Sequence, residues 1–209
     1  LHSFPTRRSS DLDQFIGVVV PNLRIVAKKH FDADFDTLRE LLASPYHEYR
    51  LTALLALTYR YAKLKDHTSR ETCVNFYVSQ VDAINNWDLV DLSCYKILGH
   101  WLFDKDKQLL YDWAKENHLW KQRIAMISCM HFVKQGEFKD ALAIADLLQH
   151  HPHDLIHKAV GWILREIGKE DEQLLIDYLT PRYKEMPRTM LRYAIERFEE
   201  GKRKAFLNS

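Results

Sequence analysis

Helix-like stretches come in pairs along this chain, and that pairing constrains its fold more than any other feature. Four stretches, "YRLTALLALTYRYA" (Tyr49–Ala62), "QRIAMISCMHFVKQG" (Gln122–Gly136), "HKAVGWILREIGK" (His157–Lys169) and "RTMLRYAIERFEEG" (Arg188–Gly201), begin with or close to a basic residue and then run apolar at helical spacing. "VDLSCYKILGHWLF" (Val90–Phe103) takes the same place after Trp87. Each is preceded by another helix-like stretch: "DFDTLRELLAS", "ETCVNFYVSQVDAI", "QLLYDWAKEN", "EFKDALAIADLLQ" and "DEQLLIDYLTPRYKE". Aligning Arg50, Asp91, Arg123, Lys158 and Thr189 gives a spacing of 31 to 41 residues, the range of two-helix solenoid repeats. An irregular helical bundle is the alternative, and the regular pairing favours the solenoid. In such an array the second helices of the pairs line one wall.

Composition agrees with an all-α chain. Only 6 Gly and 6 Pro occur in 209 residues, which argues against a turn-rich β fold. Apolar residues make up 46% and charged residues 28%, a globular balance. No apolar run is long enough to cross a bilayer. Cys73, Cys94 and Cys129 are odd in number and sit inside apolar helical patterns. They read as buried thiols of a reducing compartment, which points to the cytoplasm. "LHSFPTRRSSDL" has neither a helical period nor an apolar core, so it is not a signal peptide. Residues 1–12 are expected to be a non-native leader, and 13–209 a single repeat domain.

The net charge is +1, so a nucleic-acid binder built on this chain has to segregate its charges. The repeat alignment suggests where. At matching positions the second helices carry Arg50, Arg123 and Lys158, with Arg188 one position earlier in the last unit and Arg192 three positions on. Helix N-termini add partial positive charge and free N–H groups along that row, which suits a phosphate backbone. The bland alternative is a solvated basic edge.

The second unit breaks the row. Where its neighbours carry a cation it carries Asp91, within "INNWDLVDLS" (Ile84–Ser93). An anion there is a poor phosphate ligand and a good partner for a cation on the ligand. Trp87 lies four residues earlier, on the same helical face. Asp91 can also be read as a first-turn acid, but Asn85, Asn86 and Asp88 already supply capping candidates. Trp162 follows Lys158 by four and precedes Arg165 by three, so those three share a face as well. Trp87 and Trp162 suggest an aromatic-lined cleft, whereas Trp101, Trp113 and Trp120 read as packing residues, Trp120 a candidate for the cleft edge. "HHPHDLIH" places His153 and His157 at metal-pair spacing, but no third ligand set accompanies them, so no metal is expected. No Gly-rich phosphate loop, nucleophile elbow or HExxH is present.

"NWDLVD", "LWKQRIA", "KAVGWILRE" and "MPRTMLRYAIE" resemble the signatures of AlkD-like DNA alkylation-repair glycosylases, in order and at suitable spacing, over about Phe15 to Leu207. The resemblance implies a right-handed superhelix of HEAT-like repeats that holds duplex DNA and excises positively charged N3- and N7-alkylated purines. It implies Asp91 as the catalytic aspartate, Trp87 and Trp162 as cleft tryptophans, Arg123 as a DNA-backbone arginine and Arg165 as a second arginine of the cleft. Lys158, Arg50 and Arg188 complete the expected DNA contacts. The implied protein is a monomer that uses no cofactor and no membrane. Family members carry helical sequence with an aromatic cleft residue before the segment matching "IGVVVPNLRIVAKK", so the first helix is expected to be truncated here. The rival reading is a non-catalytic helical-repeat scaffold for DNA structures or a protein.

One expectation follows for the basic row. Arg123→Ala should weaken DNA binding across sequences and flatten its salt dependence, measured as the slope of log affinity against log salt. An unchanged slope would remove Arg123 from phosphate contact.

Overall fold

The computed structural model describes residues 13–208; the expected leader, residues 1–12, lies outside them. Every regular element among the described residues is helical, apart from one isolated parallel bridge between Gln14 and Tyr46. The chain forms two compact units, one reaching to Ile97 and the other starting at Leu98.

The first unit holds α1 (Val20–Lys29), α2 (Phe35–Leu42), α3 (His47–Lys63), α4 (His67–Ser79), a 3-10 turn (Val81–Ala83) and α5 (Trp87–Asp91). The start signals are local. Asp34 caps α2 by accepting from the Thr37 N–H at 2.7 Å, and Asp66 caps α4 from Ser69 at 2.8 Å. Each cap satisfies an amide that the first turn leaves without an intrahelical partner. α3 is the hub: it packs against α1, α2, α4 and α5 and buries Leu51, Leu54, Leu55 and Leu57. α1 buries Leu23 and Ala27 against it and leaves Ile25 and Val26 exposed.

The stretch Val90–Phe103, expected to be one helix, is broken. α5 ends at Asp91, and a π turn follows at Tyr95–Gly99. The cause is Ser93. Its hydroxyl donates to the Leu89 carbonyl, the acceptor a continuing α-helix would give to the Ser93 amide. That amide bonds Val90 instead, at 3.1 Å. With its single O–H so used, Ser93 Oγ accepts from the buried Tyr77 hydroxyl at 3.0 Å.

The second unit holds α6 (His100–Leu102), α7 (Gln108–Lys115), α8 (Leu119–Ser128), α9 (Met130–Val133), α10 (Lys139–Leu148), α11 (Asp154–Glu170), α12 (Glu172–Leu179), α13 (Arg188–Ala194) and α14 (Glu200–Asn208). α11 packs against α8, α10, α12 and α13, so helices expected as second members of successive pairs touch each other. It buries Ile156, Val160, Ile163, Leu164 and Ile167 at helical spacing. Its close approach to α13 depends on Gly161. A Cβ there would meet the Met190 carbonyl oxygen and the Tyr193 Cβ, each at 2.5 Å. The cysteines are buried free thiols, as the pattern predicted. None of the described helices is long and apolar enough to cross a membrane.

Gly161→Ala should therefore force α11 and α13 apart and cost about 1–3 kcal/mol of stability. Denaturant unfolding checks this; an unchanged midpoint would mean the two helices separate at no cost.

Candidate functional site

The two residues singled out in "NWDLVD" are the first and last of α5. Trp87 is 52% exposed, an unusual state for a residue of that size. Asp91 is 8% exposed. Its position excludes the first-turn reading, since Asp88 is the first-turn acid and Asp91 closes the helix. A carboxylate at a helix C-terminal end gains nothing from the helix dipole. Asp91 also makes itself felt on Tyr77: burial pushes that phenol well above its usual range, and the nearby Cys94 and Asp91 add to the shift.

α5 is not capped by its own sequence. Asn86, in the N-cap position, makes no side-chain cap bond. Three side chains at its start are held from elsewhere in the unit. Asn85 accepts from Arg50 of α3. Asn86 Nδ2 donates to Asp13 Oδ2 at 3.0 Å. Asp88 Oδ2 sits 2.8 Å from His47 Nε2. The other ring nitrogen of His47, Nδ1, is 3.2 Å from Asp13 Oδ2, and Arg50 pairs with the second oxygen of Asp13. The resulting cluster is buried: the His47, Asp13 and Arg50 side chains are each at most 6% exposed.

The lead-in segment completes this arrangement. Gln14 bonds backbone to backbone with Pro45 and His47 at the start of α3. The Glu48 carboxylate accepts from the Ile16 and Gly17 amides at 3.1 and 2.8 Å. Burial pushes the Glu48 carboxyl up, but the amides of this segment outweigh it and hold the group below its usual range. Gly17 turns the chain into α1 with φ of +82°, a conformation that suits glycine.

This geometry moves Arg50 out of the expected basic row. Its guanidinium is committed to Asp13 and Asn85, and the residue is 5% exposed. In the second unit Arg123 is 4% exposed and donates to the Leu155 carbonyl in the first turn of α11. Lys158 is half-exposed and pairs with Asp154 one turn earlier, at 2.7 Å. Trp162 is half-buried, and Arg165 on the same helix pairs with Glu196. Arg188 is exposed and donates to the Leu207 carbonyl at 2.7 Å, while Arg192 is exposed. Three of the four histidines of "HHPHDLIH" serve the backbone: His153 Nδ1 accepts from the Leu155 amide, His151 Nδ1 accepts from the His153 amide, and His157 Nε2 faces the His151 carbonyl.

Sequence reasoning missed Asp13 and His47, which lie 34 residues apart and belong to no spacing pattern. The legible signal was the surplus of polar groups at Asn85, Asn86 and Asp88, read as capping candidates and in fact partners of α3 and Asp13.

The sequence profile of a family described as DNA alkylation repair enzyme matches residues 6–198 of this chain. Among solved structures, one described as a predicted DNA alkylation repair enzyme from Enterococcus faecalis superposes with a TM-score of 0.70 at 14% identity. The superposition covers 91% of each chain, a likeness of fold. No curated protein sequence matches significantly.

Arg50→Ala leaves the buried Asp13 carboxylate without its arginine and should cost about 3–5 kcal/mol. A thermal or urea unfolding midpoint equal to the wild type would show that the pair is dispensable.

Proposed function

Because the chain belongs to the DNA alkylation repair enzyme family, we propose that it is a monofunctional DNA glycosylase that excises N3- and N7-alkylated purines from duplex DNA. The helix pairs are read as HEAT-like repeats of a solenoid. The observation that carries the chemistry is the state of α5: a buried carboxylate, Asp91, one turn from an exposed indole, Trp87.

Alkylation at N3 or N7 makes the purine cationic and weakens its glycosidic bond. The bond breaks heterolytically, both electrons go to the base, and the base leaves neutral. The positive charge passes to the deoxyribose, which becomes oxocarbenium-like. Little general acid is needed for such a leaving group. What accelerates the step is an anion aimed at the charge that develops on the sugar. Asp91 is that anion in this reading, and it also orients the water that adds to the sugar. The parallel is the stabilising carboxylate of glycoside hydrolysis, without the second, acidic carboxyl. Trp87 offers an electron-rich face to the cationic nucleoside.

In the second unit, Trp162 is assigned the same role as Trp87. Lys158, Arg165, Arg188 and Arg123 are assigned to the DNA backbone. Lys158 is paired with Asp154 and Arg165 with Glu196, partners that phosphate would have to displace. Arg123 is buried against the start of α11, so its loss would disturb that helix as well as any phosphate contact. Lys158→Ala is therefore the cleaner salt-slope variant.

The deciding experiment is release of N7-methylguanine or N3-methyladenine from methylated duplex DNA. Wild-type protein should release the base, and Asp91→Asn should slow the single-turnover rate by about 10²–10³-fold. Release that survives Asp91→Asn would remove Asp91 from the chemistry. Binding without any release would favour a non-catalytic scaffold.

A further inference from the structure

We propose that His47, clasped between Asp13 and Asp88, is a positioning residue that fixes α5 and so sets Trp87 and Asp91 for reaction. The inference rests on the glycosylase reading for its chemistry and on the first unit alone for its geometry.

The need for a clasp comes from the length of α5. A five-residue helix closes few hydrogen bonds, even with those of its caps, Val90 to Asn86 and Leu92 to Asp88, and cannot offset the cost of its own nucleation. It has no side-chain cap, and the α-helical ladder beyond it is interrupted at Ser93, whose amide bonds Val90, before the π turn. Its direction is thus set by the burial of Leu89 and Val90 and by whatever grips its ends. At the C-terminal end the grip is Ser93 on Leu89, steadied by Tyr77. At the N-terminal end it is the cluster of Asp13, His47, Arg50, Asn85, Asn86 and Asp88.

The geometry also fixes the form of His47. Both ring nitrogens face carboxylate oxygens, at 2.8 and 3.2 Å. A neutral imidazole has one N–H and would turn a lone pair toward one of the carboxylates; only the imidazolium donates to both. The charges balance in that form: Asp13 and Asp88 against His47 and Arg50. The remaining charged group on this part of α3, Glu48, is satisfied by backbone amides of the lead-in segment. The ring of Phe15 lies 5.1 Å from the imidazole. Burial alone would lower the His47 pKa, but Asp88 first and then Asp13 raise it above the ordinary histidine range. A raised pKa means the clasp is complete below the pKa of an unfolded histidine and is lost as pH rises through the folded value.

Neutral His47 would leave two carboxylates, the buried Asp13 and the part-exposed Asp88, against one guanidinium, and the start of α5 would loosen. Trp87 and Asp91, on that helix, would lose their register with the substrate sugar. Misplacement of this kind acts on the chemical step more than on DNA affinity, because phosphate contacts lie on other residues.

The test combines hydrogen exchange with single-turnover kinetics on the full chain. In His47→Gln, amides of residues 88–92 should exchange faster, with α1 and α2 unchanged. The rate of N7-methylguanine release should fall by about 10- to 100-fold with binding to the methylated duplex retained. Wild-type activity should decline on the alkaline side, His47→Gln should lack that limb, and Asp88→Asn should shift it to lower pH. A purely structural histidine would move none of these pH features. Unchanged exchange at residues 88–92, or a wild-type alkaline limb that survives His47→Gln, would overturn the inference. If the wild-type protein releases no base, the glycosylase reading fails, and the exchange result alone decides the clasp: local opening supports it and unchanged protection refutes it.

Discussion

A carboxylate can stabilise a developing cation only if it is held where the charge appears, and in this chain the helix that carries Asp91 is too short to hold itself. Its placement is delegated to a buried cluster of charged and amide side chains drawn from Asp13, α3 and the residues leading into α5. Much of the first unit serves that cluster. The bridge between Gln14 and the start of α3 brings Asp13 to it, Glu48 ties down the next two residues, and the apolar face of α3 anchors the helix that presents His47 and Arg50. Buried ion pairs add little net stability, because desolvation offsets much of the attraction. What they supply here is one defined geometry for the start of α5.

The sequence was legible where local physics decides the outcome. Apolar spacing predicted α2, α3, α7, α10, α11 and α12, because each buries an apolar face. It failed at Val90–Phe103, where the apolar pattern runs on through a break. At Ser93 the backbone amide bonds Val90 instead of Leu89, and hydrophobic periodicity does not register that shift. The pair Trp87 and Asp91 stood out from the repeat alignment, and the structure adds a contrast in burial that no spacing predicts.

Arg50 shows the limit of the alignment. It matches Arg123 and Lys158 in register, yet its guanidinium turns inward to Asp13, a residue 37 positions earlier that no repeat relates to it. Register along a repeat selects a place on a helix, and the neighbours of that place select what the side chain does there. His47 was invisible for the same reason. Its role depends on Asp13 and Asp88, which are distant in sequence and become its neighbours only once the lead-in segment and α5 have folded onto α3.

In the proposed reaction Asp91 acts through its charge on a cationic sugar. The most direct measurement is the relative affinity of wild-type protein and Asp91→Asn for two duplexes, one bearing a cationic pyrrolidine in place of the deoxyribose and one bearing a neutral tetrahydrofuran abasic site. The account predicts that wild-type protein prefers the cationic sugar and that Asp91→Asn erases the preference while binding the neutral duplex as before. A preference that persists unchanged in Asp91→Asn would contradict it.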